Sequence, residues 1–342
     1  MKSLTFFLLA LASSVITAQA QNQLSQVLRS IPTNKDYHDL DKSQIHACEQ
    51  YTKLASIALC PSLKPGKPFK CPAYCDEFPD TTVIHTFEIK PEDIVGYIAR
   101  DDRRKAIVVS IRATASLPNI LVDLDFAPVP YRHPNSKGAK VHGGIYAVAQ
   151  KSIKIVNPQL RKILKEYPDY EIEVVGWSLG GAIATFHTLD VLETMDTFDP
   201  KKLLLVTVGE PRVGDENFVK YVESFDITTK RLVNNLDIVP HLPPRVMGFE
   251  HRKYEIHSTK LLGEVIQCRR GEDFKCSNKE PVFLLNILSH TRFGQVDLLK
   301  CAPEYVEHLL DEWFNKLPKS SLKKANTKPT SKNRKLRRMV EH

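Results

Sequence analysis

Three observations predict an α/β fold in which a central, mostly parallel sheet carries helices on both faces. Short apolar runs alternate with longer helical patterns through residues 105–225, the order that builds parallel strands joined by crossover helices. The run 203–208 is apolar almost throughout, as a strand buried on both faces is. No internal repeat or Gly/Ser linker interrupts residues 40–315, so one domain holds these elements.

Residues 1–20 begin with Lys2, continue through an apolar run over 4–16 and end in Ala18-Gln19-Ala20. The run is short for a membrane span and reads as a signal peptide cut after Ala20. Ile45, Cys48, Tyr51, Ala55 and Ala58 then recur at helical spacing, and loops rich in Pro and Cys follow as far as Pro79. Strands are expected at 82–89, 94–100 and 105–111, the last two joined by a hairpin turn at Asp101-Asp102-Arg103-Arg104. Residues 144–167 read as a helix that Pro158 kinks or restarts. After it come a strand at 171–175, a helix at 179–195, a strand at 203–208 and an amphipathic helix at 214–225. A further strand from Arg231 runs into a loop at Asp237.

The 342 residues are 42% hydrophobic and 26% charged, which excludes a disordered chain, a collagen and a coiled coil. The net charge of +8 suggests a nucleic-acid partner until it is localised. Residues 316–342 hold ten Lys or Arg against Glu341 alone. Residues 3–315 are therefore mildly acidic, and no nucleic-acid partner is expected. The basic stretch lacks apolar periodicity and reads as a disordered tail. It is either a solvated run or an attachment to an anionic lipid surface.

Seven Cys behind a signal peptide point to disulfides formed on the secretory route. The expected location is extracellular, with retention in the secretory lumen as the alternative. The pair Cys71 and Cys75 hints at zinc, but no second Cys or His pair at finger spacing follows, and no metal or other cofactor is expected. One Cys must remain unpaired. Cys48, on the apolar helical stripe, is the best candidate.

The chemistry is concentrated at Gly176-Trp177-Ser178-Leu179-Gly180, a G-x-S-x-G stretch with a strand before it and a helix after it. Such a sharp turn exposes a serine hydroxyl at a helix N-terminus, where the Leu179 N–H can face a developing oxyanion. A nucleophilic serine needs a base and a carboxylate downstream. Asp237 lies just past a strand end and is preferred to Asp215 and Asp226, which sit on or beside a helix. The candidate bases are His241, His251, His257, His290 and His308. His241 is too near Asp237 in sequence, and His251 and His257 flank a strand. Position alone leaves the choice of His290 open.

The sequence resembles the fungal-type class 3 triacylglycerol lipases over residues 40–315. The likeness rests on Ile111-Arg112-Ala113-Thr114-Ala115-Ser116, Val141-His142-Gly143-Gly144, the serine turn, the stretch 208–214 and the stretch 237–244. It implies an α/β-hydrolase fold and a triad of Ser178, Asp237 and His290. It also implies an oxyanion hole made by Thr114 and Leu179, and disulfides Cys60–Cys301, Cys71–Cys75 and Cys268–Cys276. Ala113 replaces the family's usual Gly, Trp177 stands where His is common, and Cys71 to Cys75 is one residue longer than usual.

Ser116 is a good helix N-cap, and Leu117, Ile120, Leu121 and Leu124 share one face of the following helical pattern. In the related lipases this helix is a lid over the serine; otherwise it is an ordinary surface helix. The resulting expectation is a secreted serine ester hydrolase that cleaves acylglycerols at a lipid–water interface. The rival activities are a phospholipase A1 and a feruloyl-type esterase. A catalytically idle lipid-binding protein is the rival of another class.

Overall fold

The computed structural model describes residues 24–32, 37–112, 126–259 and 264–302. Residues 1–20, the basic run 316–342, Thr114 and the whole 116–125 stretch with Leu117, Ile120, Leu121 and Leu124 lie outside the described residues.

The elements follow in chain order. Helix α1 (Leu24–Ser30) and strand β1 (Tyr37–Asp39) lead into helix α2 (Lys42–Ile57). Asp41 begins α2 with a capping box, accepting from Ser43 N and Gln44 N while the Gln44 side chain accepts from the Asp41 N–H. Strands β2 (Thr81–Ile89), β3 (Ile94–Asp101) and β4 (Ala106–Arg112) form an antiparallel meander. Short strands β5 (Pro128–Pro130) and β6 (Lys140–His142) precede helix α3 (Gly143–Glu166). Then come β7 (Glu171–Trp177), α4 (Leu179–Thr194), β8 (Leu203–Val208), α5 (Glu216–Glu223) and β9 (Thr228–Asn234). The last strands are β10 (Glu255–Ser258), β11 (Val265–Cys268), β12 (Arg292–Phe293) and β13 (Val296–Asp297).

Nine strands form one sheet in the order β1-β11-β10-β9-β8-β7-β4-β3-β2. The five from β4 to β10 are parallel. Side chains alternate between two cores. Ile107, Val109, Ile172, Val174, Leu203 and Leu205 face α3 and α4. Val108, Val175, Leu204 and Val206 face α2. Both faces are covered, which is why β4 and β8 are buried along their whole length.

Among the described residues, each strand and helix expected from the sequence between residues 82 and 225 is present, with ends displaced by at most two residues, and the helix expected after Ser116 lies outside them. Pro158 neither ends nor restarts α3, which is a single helix. Pro158 and Lys154, whose carbonyl loses its partner, are both exposed, so water can take the place of the missing hydrogen bond. The antiparallel edge formed by β11 and β1 was not expected, nor was α1. Their segments are too short for periodicity to register.

Three disulfides join Cys60 to Cys301, Cys71 to Cys75 and Cys268 to Cys276, and Cys48 is a free, buried thiol. Burial pushes the Cys48 thiol up to about 12, so it stays protonated. Among the described residues no helix is long and apolar enough to cross a membrane.

Candidate active site

Ser178 sits between β7 and α4 at the centre of the sheet, with φ 62° and ψ −131°. A non-glycine residue holds such a conformation only when its surroundings over-determine it. Here Ser178 N–H donates to Val208 O at 2.8 Å, and the Ser178 carbonyl accepts from Gly181 N at 2.9 Å. The flanking glycines are required by close backbone approach. A Cβ on Gly176 would lie 2.3 Å from Gly180 O, and one on Gly180 would lie 2.2 Å from Ile111 O. Leu179 is the first residue of α4, where an amide has no acceptor within the helix.

Asp237 follows β9 by three residues. Its N–H donates to Asn234 O at 3.0 Å, and its Oδ1 accepts from Val239 N at 2.9 Å. Oδ2 faces Nδ1 of His290 at 2.8 Å. A carboxylate can only accept, so Nδ1 carries the proton and Nε2 presents its lone pair. His290 lies in a short 3-10 turn, Leu288–Thr291. Asn234 Nδ2 holds the neighbouring Ser289 carbonyl at 2.9 Å.

Ser178, Asp237 and His290 are each at most 1% exposed. Among the described residues, Ser178 Oγ and His290 Nε2 have no hydrogen-bond partner. Two orphaned polar atoms in a buried site are costly as structure. As chemistry they are the donor and the acceptor, respectively, that a proton transfer requires.

Two of the rival histidines are engaged by backbone carbonyls. His251 Nε2 is 2.8 Å from Pro240 O, and burial holds its pKa well below the usual value. His257 Nε2 meets Asn235 O at 3.1 Å. Burial also lowers the pKa of His241. His308 lies outside the described residues. Asp215 caps α5 by accepting from Phe218 N at 2.9 Å, and Asp226 lies on the surface 3.9 Å from Lys201.

Two further residues shape the site, and sequence reasoning did not assign either of them a role. Trp177 stacks on His290 with ring centroids 5.3 Å apart and planes at 28°, and its Nε1–H donates to His290 O at 3.0 Å. Gly209 has φ 58°, and a Cβ there would come within 2.6 Å of His290 Cε1 and 2.8 Å of Asp237 Oδ2. The visible signal for Gly209 was a glycine directly after a fully buried strand, the mark of close backbone approach.

For metals, the sulfurs of Cys60, Cys71 and Cys301 lie within 4.8 Å of one another. Each is bound in a disulfide, so none is available as a thiolate ligand.

The sequence profile described as "Lipase (class 3)" matches residues 108–247. A lipase of Rhizomucor miehei is 35% identical over 261 residues, covering 75% of this chain and 70% of the relative. A secreted mono- and diacylglycerol lipase of Gibberella zeae is 29% identical over 315 residues, covering 78% and 76%. A solved triacylglycerol lipase, whose catalytic centre is described as a serine protease triad, superposes with a TM-score of 0.72 at 33% identity. That similarity covers 78% of this chain and all of the other.

Proposed function

As a member of the class 3 lipase family the chain is a carboxylic-ester hydrolase, and we propose that it cleaves acylglycerols at a lipid–water interface with Ser178 as nucleophile. The observation that carries this reading is the pair of buried atoms Ser178 Oγ and His290 Nε2, unpartnered among the described residues, beside the His290–Asp237 hydrogen bond.

In this reading His290 Nε2 removes the Ser178 proton as Oγ attacks the acyl carbon. Asp237 keeps the imidazole in the required tautomer and stabilises the imidazolium that forms. Leu179 N–H faces the oxyanion, and Thr114 is the second donor that the family resemblance implies. The tetrahedral intermediate collapses, His290 returns the proton to the departing alcohol, and an acyl-serine ester remains. Water activated by His290 hydrolyses that ester and restores Ser178.

Interfacial action is supported by the segment leading to His290. Val282, Phe283, Leu284 and Leu288 are all exposed, and only His290 among residues 281–291 is ionisable. An uncharged apolar rim beside the site suits a lipid surface. The 116–126 stretch supplies the lid of this reading. Export is supported by the segment 1–20, by the three disulfides and by the secreted relative. The basic run 316–342 would add affinity for an anionic surface.

The test is the rate of ester hydrolysis as substrate concentration passes its solubility limit. An abrupt rise supports the interfacial reading, and replacing Ile120 and Leu121 by Ser should flatten it. A smooth saturation curve through the limit would assign the enzyme to dissolved esters instead.

A further inference from the structure

Trp177 ends β7 one residue before Ser178, is 2% exposed, and touches His290 twice. Its ring lies against the imidazole, and its Nε1–H holds the His290 backbone carbonyl. The imidazole is thus bounded by the indole of Trp177, by the carboxylate of Asp237 at Nδ1, and by the backbone of Gly209 at Cε1. Among these neighbours only Asp237 is charged. Trp177, Gly209 and Ser178 are neutral, and Arg292, two residues beyond His290, is exposed to water.

An indole presents a negative π face. Such a face attracts a cation more strongly than a neutral ring, and does so most when water is excluded. During turnover His290 is neutral at rest and cationic as the tetrahedral intermediate forms. A contact that strengthens only when the cation appears lowers the barrier rather than merely tightening binding.

We propose that Trp177 is a positioning residue for the hydrolysis: its stacked face stabilises the imidazolium of His290, and its Nε1–H fixes the backbone that carries the ring. This rests on His290 being the base, and the experiment separates the two claims.

The measurement is kcat/KM for a dissolved short-chain ester from about pH 5 to about pH 9, in the unaltered enzyme, Trp177→Phe, Trp177→Leu and His290→Ala. Loss of the stacked face makes the imidazole harder to protonate. In Trp177→Leu the acid limb should therefore move to lower pH by about one unit, and the plateau should fall about tenfold. Trp177→Phe keeps a weaker π face and loses the Nε1–H donor. Its acid limb should move by less than half as much, and it decides the matter should the Leu variant not fold. Acid limbs unmoved in the folded variants, with only the plateau lowered, would reduce Trp177 to a structural residue and overturn the proposal. Activity retained in His290→Ala would overturn the base assignment itself, and this inference with it.

Discussion

Gly209→Ala should disable the site while leaving the fold standing. The added methyl would lie 2.6 Å from His290 Cε1, 2.7 Å from His290 Nδ1 and 2.8 Å from Asp237 Oδ2. Ordinary contact at Cε1 requires the ring to retreat by about 0.8 Å, and the stacked indole of Trp177 limits where it can go. Displacements near 1 Å cost reactions of this kind about a hundredfold. Alanine at φ 58° adds a strain of about 1 kcal/mol, a shift of only a few degrees in Tm for a domain of this size. The assay pairs kcat on a dissolved short-chain ester with a thermal melt. The expected result is a folded protein whose turnover is reduced about a hundredfold. A folded Gly209→Ala enzyme with near-normal turnover would refute the argument that backbone approach holds the His290–Asp237 pair in place.

Two other outcomes follow from buried groups. His187 lies within α4 with Nε2 2.7 Å from Ser152 Oγ, and burial drives its pKa down to about 3. Above about pH 6.5 it is neutral whether folded or unfolded. Below that the unfolded chain gains a proton that the folded one refuses, so stability falls with pH by about 2 kcal/mol at pH 5. Urea unfolding at pH 7 and pH 5 should show this difference shrinking in His187→Gln, and an unchanged difference would remove His187 from the acid response. Breaking Cys60–Cys301, which spans 241 residues, with Cys60→Ser and Cys301→Ser should cost about 2–5 kcal/mol. Equal denaturation midpoints for the two forms would contradict that.

The central strands were legible because they are buried on both faces and therefore apolar nearly throughout, as Leu203–Val208 is. Ser178 was legible because a strained strand-to-helix turn requires glycine at both 176 and 180, a requirement the close approaches to Gly180 O and Ile111 O explain. His290 was not separable from its rivals by position alone. What distinguishes it is a contact to Asp237 across 53 residues, together with hydrogen bonds that His251 and His257 make to the carbonyls of Pro240 and Asn235. No local pattern encodes such long-range pairings. Trp177 and Gly209 were hidden for the same reason: each acts on a ring that reaches it only after the chain has folded.

The most direct test of the account is covalent labelling by an alkyl phosphonate ester, located by peptide mass mapping in the unaltered enzyme, His290→Ala and His257→Ala. The expected result is one phosphonate per chain on Ser178, labelling slowed by several orders of magnitude in His290→Ala, and near-normal labelling in His257→Ala. Label on another residue, or rapid labelling of Ser178 without His290, would contradict it.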